Sequence, residues 1–334
     1  MMISLSKRLV WLLLLAPMVA VGQAGNLAPK PLFRDPVHDG AADPTLIYNV
    51  AKKQWWMFYT NRRADEAADN PKDVAWLHGT RIGIAVSSDG GANWKYRGTA
   101  EIPYGKADYT HWAPDIVRVG GTYHMFLTIV PGTFHDWNAS REIVHLTSPD
   151  LEKWTFVSKL PLSSDRTIDP SLFQLPDGTW RMWYKDERDG SHIHYADSAD
   201  LTTWKDVGVA IGDRNSEGPK IFRWHDKYWM IVDVWKGVAV FHSDDLVKWV
   251  PQAAKLLDVP GKAATDRSVG HHVDVVVHGD RAFLFYFTHQ MGADEVATLP
   301  HSADRTVLQV VELGFRDGAL TADRDAPTHV ALGP

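Results

Sequence analysis

Four times in this chain a serine is followed six residues later by a tryptophan: Ser88 and Trp94, Ser148 and Trp154, Ser198 and Trp204, Ser243 and Trp249. The last three copies read S-P-D-L-E-K-W, S-A-D-L-T-T-W and S-D-D-L-V-K-W, and the tryptophans are 60, 50 and 45 residues apart. A period of this size marks an array of supersecondary units, so the repeat constrains the fold before any single residue does. The segments between the marks are short, alternating, rich in aromatic and β-branched residues, and bounded by Gly, Asp and Pro. No stretch after the N-terminal segment shows a convincing 3.6-residue period. Several strands per unit of this length predict an all-β, five-bladed β-propeller. A β-sandwich with accidental spacing is the alternative.

The units open at Asp43-Pro44-Thr45-Leu46-Ile47, Ala113-Pro114-Asp115-Ile116-Val117, Asp169-Pro170-Ser171-Leu172-Phe173, Glu217-Gly218-Pro219-Lys220-Ile221 and Gly270-His271-His272-Val273-Asp274. Each runs through a turn into an aromatic-rich second strand and then a third strand, which in the first four ends at the Ser-to-Trp mark. The fifth lacks the mark and is inferred from its strand pattern. Two insertions interrupt the pattern, Asn61 to Thr80 in the first unit and Pro131 to Ser140 in the second. Loops of this length on a rigid scaffold often shape a binding site.

Composition narrows the partners. The formal charge is −6 and no basic patch is evident, which argues against nucleic acid. Lys7 and Arg8 precede an apolar run from Leu9 to Val21, and Gly22-Gln23-Ala24 supplies small residues at the right places for cleavage. Residues 1–24 therefore read as a secretory signal peptide, too short for a membrane span, and residues 25–334 as one exported catalytic domain, periplasmic or extracellular, with no membrane contact after cleavage. Loss of the signal leaves the charge near −8. The chain has no cysteine, so an exported domain of this size rests on its core alone.

In a propeller the innermost strands line the central channel, and their starts converge at one end of the axis. Asp43, Asp115, Asp169 and Glu217 stand at those starts, and Asp43, Asp169 and Glu217 precede Pro or Gly-Pro. Each acid alone could be a turn starter or a cap. Three in phase with a repeat point instead to a shared site. Clustered carboxylates raise one another's pKa and divide into acid and base forms, the division that glycoside hydrolysis requires. Asp115 follows its Pro, which puts it out of phase and makes it mainly structural.

In these pieces the chain resembles glycoside hydrolase family 43 and its clan of five-bladed propeller glycosidases. The matching motifs are A-D-P-T-L-I around Asp43, H-W-A-P-D-I around Asp115, I-D-P-S-L-F around Asp169, E-G-P-K-I around Glu217 and G-H-H-V-D-V around His271, together with the S-x-D-L-x-x-W blade ends. The resemblance implies an inverting glycosidase in which Asp43 is the general base, Glu217 the general acid, and Asp169 the carboxylate that tunes and orients the acid. It also implies an oligosaccharide or polysaccharide substrate, with an exo-acting α-L-arabinofuranosidase or β-xylosidase as the best guess. Trp112 is a candidate platform for a sugar face, and His111, Arg62, Arg63 and Asp115 are candidate sugar contacts. His271 resembles a blade-five histidine that in some relatives helps hold calcium or a water cluster. A structural calcium is therefore an option, though no cofactor is required. His272 adjoins His271, and alternation would send the two to opposite faces, while Asp274 is a further candidate for the same channel.

Two other readings stay open. One is a related clan enzyme, such as an anhydrogalactosidase on agar oligosaccharides. The other is a glycan-binding propeller without catalysis, against which the presence of both Asp43 and Glu217 argues. Ser87 to Trp94 nearly matches a sialidase Asp box, but an arginine triad and a tyrosine nucleophile are not evident. Nor are the basic residues that a phosphorolytic propeller would need.

Overall fold

The computed structural model describes residues 25–66, 74–290 and 302–334. The repeat is built as five four-stranded antiparallel sheets, each with its strands in chain order. The inner strands are Ala41–Asn49, Thr110–Val119, Thr167–Gln174, Glu217–Trp224 and Gly270–His278. Each lies beside the next and the fifth returns to the first, which closes the ring. The molecule is a five-bladed β-propeller, and the unmarked fifth unit is a full blade. Among the described residues the helical pieces are two three-residue 3₁₀ turns, Ala75–Leu77 and Ala264–Asp266, and no helix is long and apolar enough to cross a membrane.

The second strands, Gln54–Asn61, Thr122–Val130, Trp180–Asp186, Lys227–Asp233 and Arg281–His289, are mostly buried, because a blade is covered by a neighbour on each face. That is why they read as apolar runs rather than clean alternation. The repeat tryptophans fill the seams. Trp154 meets Phe58 of blade one edge-on at 6.1 Å, Trp204 meets Phe126 of blade two at 5.4 Å, and Trp249 meets Trp183 of blade three at 6.1 Å. Each such pair adds about 0.5–1.5 kcal/mol beyond the area it buries.

The rest of the motif is a turn held by its own side chains. In the second copy the Ser148 hydroxyl accepts from the Leu151 amide at 2.9 Å, and the Asp150 carboxylate accepts from the Glu152 and Lys153 amides, both at 2.9 Å. Leu151, Leu201 and Leu246 are buried and take φ of 68°, 65° and 62°. A leucine there is strained, so the turn's hydrogen bonds and the buried side chain must hold it. In blade one the equivalent serine is Ser87, not Ser88. Gly91 (φ 91°) donates its amide to the Ser87 hydroxyl and accepts from Trp94 Nε1, so this copy holds one extra residue.

The sequence reading ended each unit at its tryptophan, whereas a fourth strand follows in every blade: Lys95–Thr99, Thr155–Lys159, Lys205–Ile211, Val250–Pro251 and Ala319–Ala322. These strands form the outer rim. Lys95–Thr99 and Thr155–Lys159 bury no residue, so they carry no apolar pattern to read. The N-terminal part of the domain zips onto blade five: Asn26–Leu27 pairs with His329–Val330, and Phe33 bridges to Leu308.

Candidate active site

Each inner strand bulges just inside its start, between Ala42 and Thr45, Trp112 and Asp115, Ile168 and Ser171, Glu217 and Lys220, and His271 and Asp274. A bulge re-aims side chains, and five in the same place sort the axis into tiers. Asp43, Ala113, Asp169, Gly218 and His272 are the first bulged residues. The first four take φ of 48°, 41°, 58° and 54°, a conformation that costs a non-glycine residue energy. Thr45, Asp115, Ser171, Lys220 and Asp274 follow the bulges and form the tier below.

This sorting changes the phase expected for the acids. Asp43 and Asp169 are equivalent, but Glu217 stands one position earlier, level with Trp112 and Ile168, because Gly218 takes the bulge. A Cβ at Gly218 would lie 2.8 Å from the His272 ring, so the glycine makes room for that imidazole. Its amide also donates to Asp169 Oδ2 at 3.0 Å, which fixes this carboxylate against blade four.

Asp43, Asp169, Glu217 and His272 line one cavity of about 280 Å³, small for a ligand site. Trp112, Trp76 and Leu77 from the first insertion, Trp137 from the second, and Trp235 form its apolar wall, and Arg62, Arg141, Lys185 and Glu187 complete it. Trp112 meets Phe134 edge-on at 5.7 Å and has the Arg141 guanidinium 5.5 Å from its ring centre. Trp137 and Trp235 are about half exposed at the mouth, where an aromatic ring can take a sugar face without first displacing protein.

The charges interlock across blades. His272 Nδ1 is 3.5 Å from Asp43 Oδ1, and the Arg62 guanidinium is 3.9 Å from the same oxygen. Burial pulls His272 down, but Asp43, Asp169 and Glu217 more than offset it and raise its pKa. Asp169 is pushed up to about 6, first by burial and then by Glu217 and Asp43, with His272 and Lys185 opposing. Glu217 goes the other way. Burial raises it, but the Lys185 ammonium 2.8 Å away, with His272 and Arg62, brings it below the ordinary glutamate value. Trp235 Nε1 donates to its other oxygen at 2.9 Å. The site thus holds carboxyls of opposite tendency, as paired acid and base chemistry needs.

The structure brings together Asp43, Asp169, Glu217, Trp112 and Arg62, all named from sequence. Four other named residues lie outside the cavity. His111 is buried outside the cavity, and burial drives its ring down to about 3, leaving it neutral. Asp115 sits in the lower tier. His271 turns sideways, its Nδ1 3.0 Å from Asp233 Oδ2 and its ring stacked on Phe287, while the bulge delivers His272 to the pocket. Arg63 bonds Glu66 and the His78 carbonyl and does not line the cavity.

The lower tier is a closed ionic clasp. Lys220 Nζ is 3.1 Å from Asp115 Oδ1 and 2.7 Å from Asp274 Oδ1. The second oxygens accept from the Leu172 amide at 2.7 Å and the Leu46 amide at 2.6 Å. Groups from all five blades meet here. Calcium takes six to eight oxygen ligands, and this donor set does not fit it. The axial carboxylates already hold an ammonium, His271 is engaged by Asp233, and no group of three or more potential ligands occurs among the described residues.

His272, Lys185, Glu187, Arg141, Trp137 and Trp235 were not assigned to the site from sequence. A signal existed for several. Antiparallel pairing returns the ends of the second strands to the face where the inner strands begin, so Lys185 and Glu187 at the end of one and Trp235 just after another reach the pocket.

The fold and this carboxylate-lined, tryptophan-walled cavity define a propeller glycosidase. The model for glycosyl hydrolases family 43 matches residues 92–232, from the end of blade one through the second strand of blade four. No curated protein sequence matches it. Solved structures share the fold at low identity. A thermostable family-43 glycoside hydrolase is 18% identical with a TM-score of 0.66, covering 90% of this chain and all of the other. A β-xylosidase/α-arabinofuranosidase from a compost microbial metagenome, solved with xylotriose, is 15% identical at 0.60, covering 85% and 94%. An exo-1,5-α-L-arabinanase from a bovine ruminal metagenomic library is 19% identical at 0.59, covering 87% and 99%.

Proposed function

We propose that this protein is an exported, inverting, exo-acting glycosidase that removes an arabinofuranose or xylose unit from the end of a plant-type oligosaccharide. The observation that carries this reading is the meeting of Asp43, Asp169 and Glu217 from three blades in one small cavity walled by tryptophan. Its size suits a terminal sugar better than the middle of a chain. Residues 1–24, which would direct export, lie outside the described residues. The names of the solved relatives, a β-xylosidase/α-arabinofuranosidase and an exo-arabinanase, support the sugar class.

Asp43, held by His272 and Arg62, takes a proton from the attacking water. The water's oxygen bonds to the anomeric carbon as the glycosidic bond breaks, and Glu217 protonates the departing oxygen. One displacement of this kind inverts the anomeric configuration. Asp169 holds the Gly218 amide and so positions the strand start that carries Glu217.

The test is a product profile on arabino-, xylo- and agar-derived oligosaccharides, with the anomer followed by NMR. Release of a single pentose from the chain end with inverted configuration is expected. Release of anhydrogalactose from agar oligosaccharides would favour the related clan activity, and glycan binding with no product from any of them would leave only a binding module.

A further inference from the structure

Glu217 has a partner on each oxygen: Lys185 Nζ lies 2.8 Å from Oε2 and Trp235 Nε1 lies 2.9 Å from Oε1. Both are donors, and a carboxyl surrounded by donors is held ionised. A general acid must instead carry a proton. Lys185 offers a way out, because it has a second carboxylate in reach: Glu187 Oε1 at 3.2 Å. Glu187 is itself fixed by the fully buried Arg141 and by Arg166, whose Nη2 is 3.0 Å from Oε2. Lys185 is the penultimate residue of the buried strand Trp180–Asp186, so its backbone is held while its ammonium stands between a fixed carboxylate and Glu217.

Other charged groups share the cavity with Glu217: Asp169 from blade three, His272 from blade five, Asp43 and Arg62 from blade one, and Arg141 from blade two. Among the described residues Lys185 is the charged group within hydrogen-bond distance of it. At rest the acid of this cluster is Asp169, pushed up to about 6 chiefly by burial.

Building on the assignment of Glu217 as the acid, we propose that Lys185 and Glu187 gate its protonation. In the empty site Lys185 bridges both carboxylates and keeps Glu217 ionised. A sugar entering the pocket displaces the ammonium onto Glu187, which keeps it paired. The freed Oε2 then takes a proton from solvent and passes it to the leaving oxygen, while the attacking water's proton goes to Asp43 and on to solvent. Lys185 is a positioning residue in this scheme, acting on the reaction only through Glu217. The arrangement confines acid catalysis to the occupied site.

The gate is read directly by ¹³C carboxyl NMR of glutamate-labelled full-length protein, with the Glu217 signal identified by its loss in Glu217→Gln. Lys185→Met should raise the Glu217 midpoint by about one pH unit or more, since an adjacent cation shifts a carboxylate by this order. Glu187→Gln, which leaves the ammonium to Glu217 alone, should lower it. In hydrolysis of xylotriose or arabinotriose the basic limb of kcat/KM, which reports the acid of the free enzyme, should rise in Lys185→Met and fall in Glu187→Gln. A purely structural role would reduce activity at all pH values without moving the limb. If both variants leave the Glu217 midpoint in place, the gate is wrong even where Glu217→Gln is inactive. If Glu217→Gln hydrolyses these substrates as the parent does, the acid assignment itself fails.

Discussion

The pocket and the clasp beneath it are built from the same five inner strands, within three residues of each other, yet their charges do opposite work. In the clasp one ammonium lies between two carboxylates, and all four carboxylate oxygens have donors. Asp115 takes Lys220, Thr45 and Leu172, and Asp274 takes Lys220, Val275 and Leu46. In the pocket Asp43, Asp169 and Glu217 share a few cations unequally, and Asp169 is driven upward toward its protonated form. Charge on the axis holds the blades together where every oxygen is matched. Where the match is incomplete, a carboxyl is available to change its protonation state. The bulge is the boundary between the two, since it sends neighbouring residues to different depths.

Substitutions should separate the tiers, and Asp43→Asn in the pocket should have the largest effect. Loss of a general base typically costs about 10²–10⁴-fold in rate, and kcat on any accepted substrate should fall by this order while the melting temperature holds. A fall in both together would move Asp43 into the structural tier. Next is Lys220→Met in the clasp. Removing one partner of a buried ion cluster leaves the others uncompensated, at a cost of about 3–5 kcal/mol. Urea unfolding should show a loss of that order, and a stable Lys220→Met would mean that the clasp does not hold the ring.

Smaller, and opposite in sign, is Asp169→Asn. A carboxyl whose folded pKa is raised contributes stability that is present below its unfolded pKa near 4 and lost as pH rises through about 6. The parent should therefore lose up to about 2–3 kcal/mol from this group between pH 4 and 7. Asp169→Asn should lack that slope, unfold later than the parent at pH 7, and be much less active. Unfolding curves at pH 4.5 and 7 test it, and an identical slope in the two proteins would count against the raised carboxyl.

Much of this was legible in the sequence. The Ser-to-Trp spacing reports the blades because the tryptophan fills each seam, and Asp-Pro at the strand starts reports the bulges. Glu217 was found by its Gly-Pro neighbour, although its tier was not, since a one-residue offset within a bulge has no signature in composition. The same offset sends His272 rather than His271 to the pocket and Asp115 to the lower tier, away from the sugar contacts that the sequence suggests. Alternation predicts opposite faces for adjacent residues, but not which face belongs to which once a bulge breaks the register. The outer strands were missed because solvent on their exposed face removes the apolar pattern. Lys185 and Glu187 have no signature at the starts of the inner strands, because they reach the pocket from the returning end of a second strand.

The central claim is that Glu217 delivers the proton to the leaving group. The most direct measurement compares Glu217→Gln with the parent on one sugar carried by two leaving groups, as its 4-nitrophenyl glycoside and as its unactivated disaccharide. Nitrophenolate departs with little help from an acid, whereas a sugar alkoxide does not. The variant should therefore lose about 10²–10⁴-fold on the disaccharide and far less on the nitrophenyl glycoside. An equal loss on both, or none on either, would contradict the assignment.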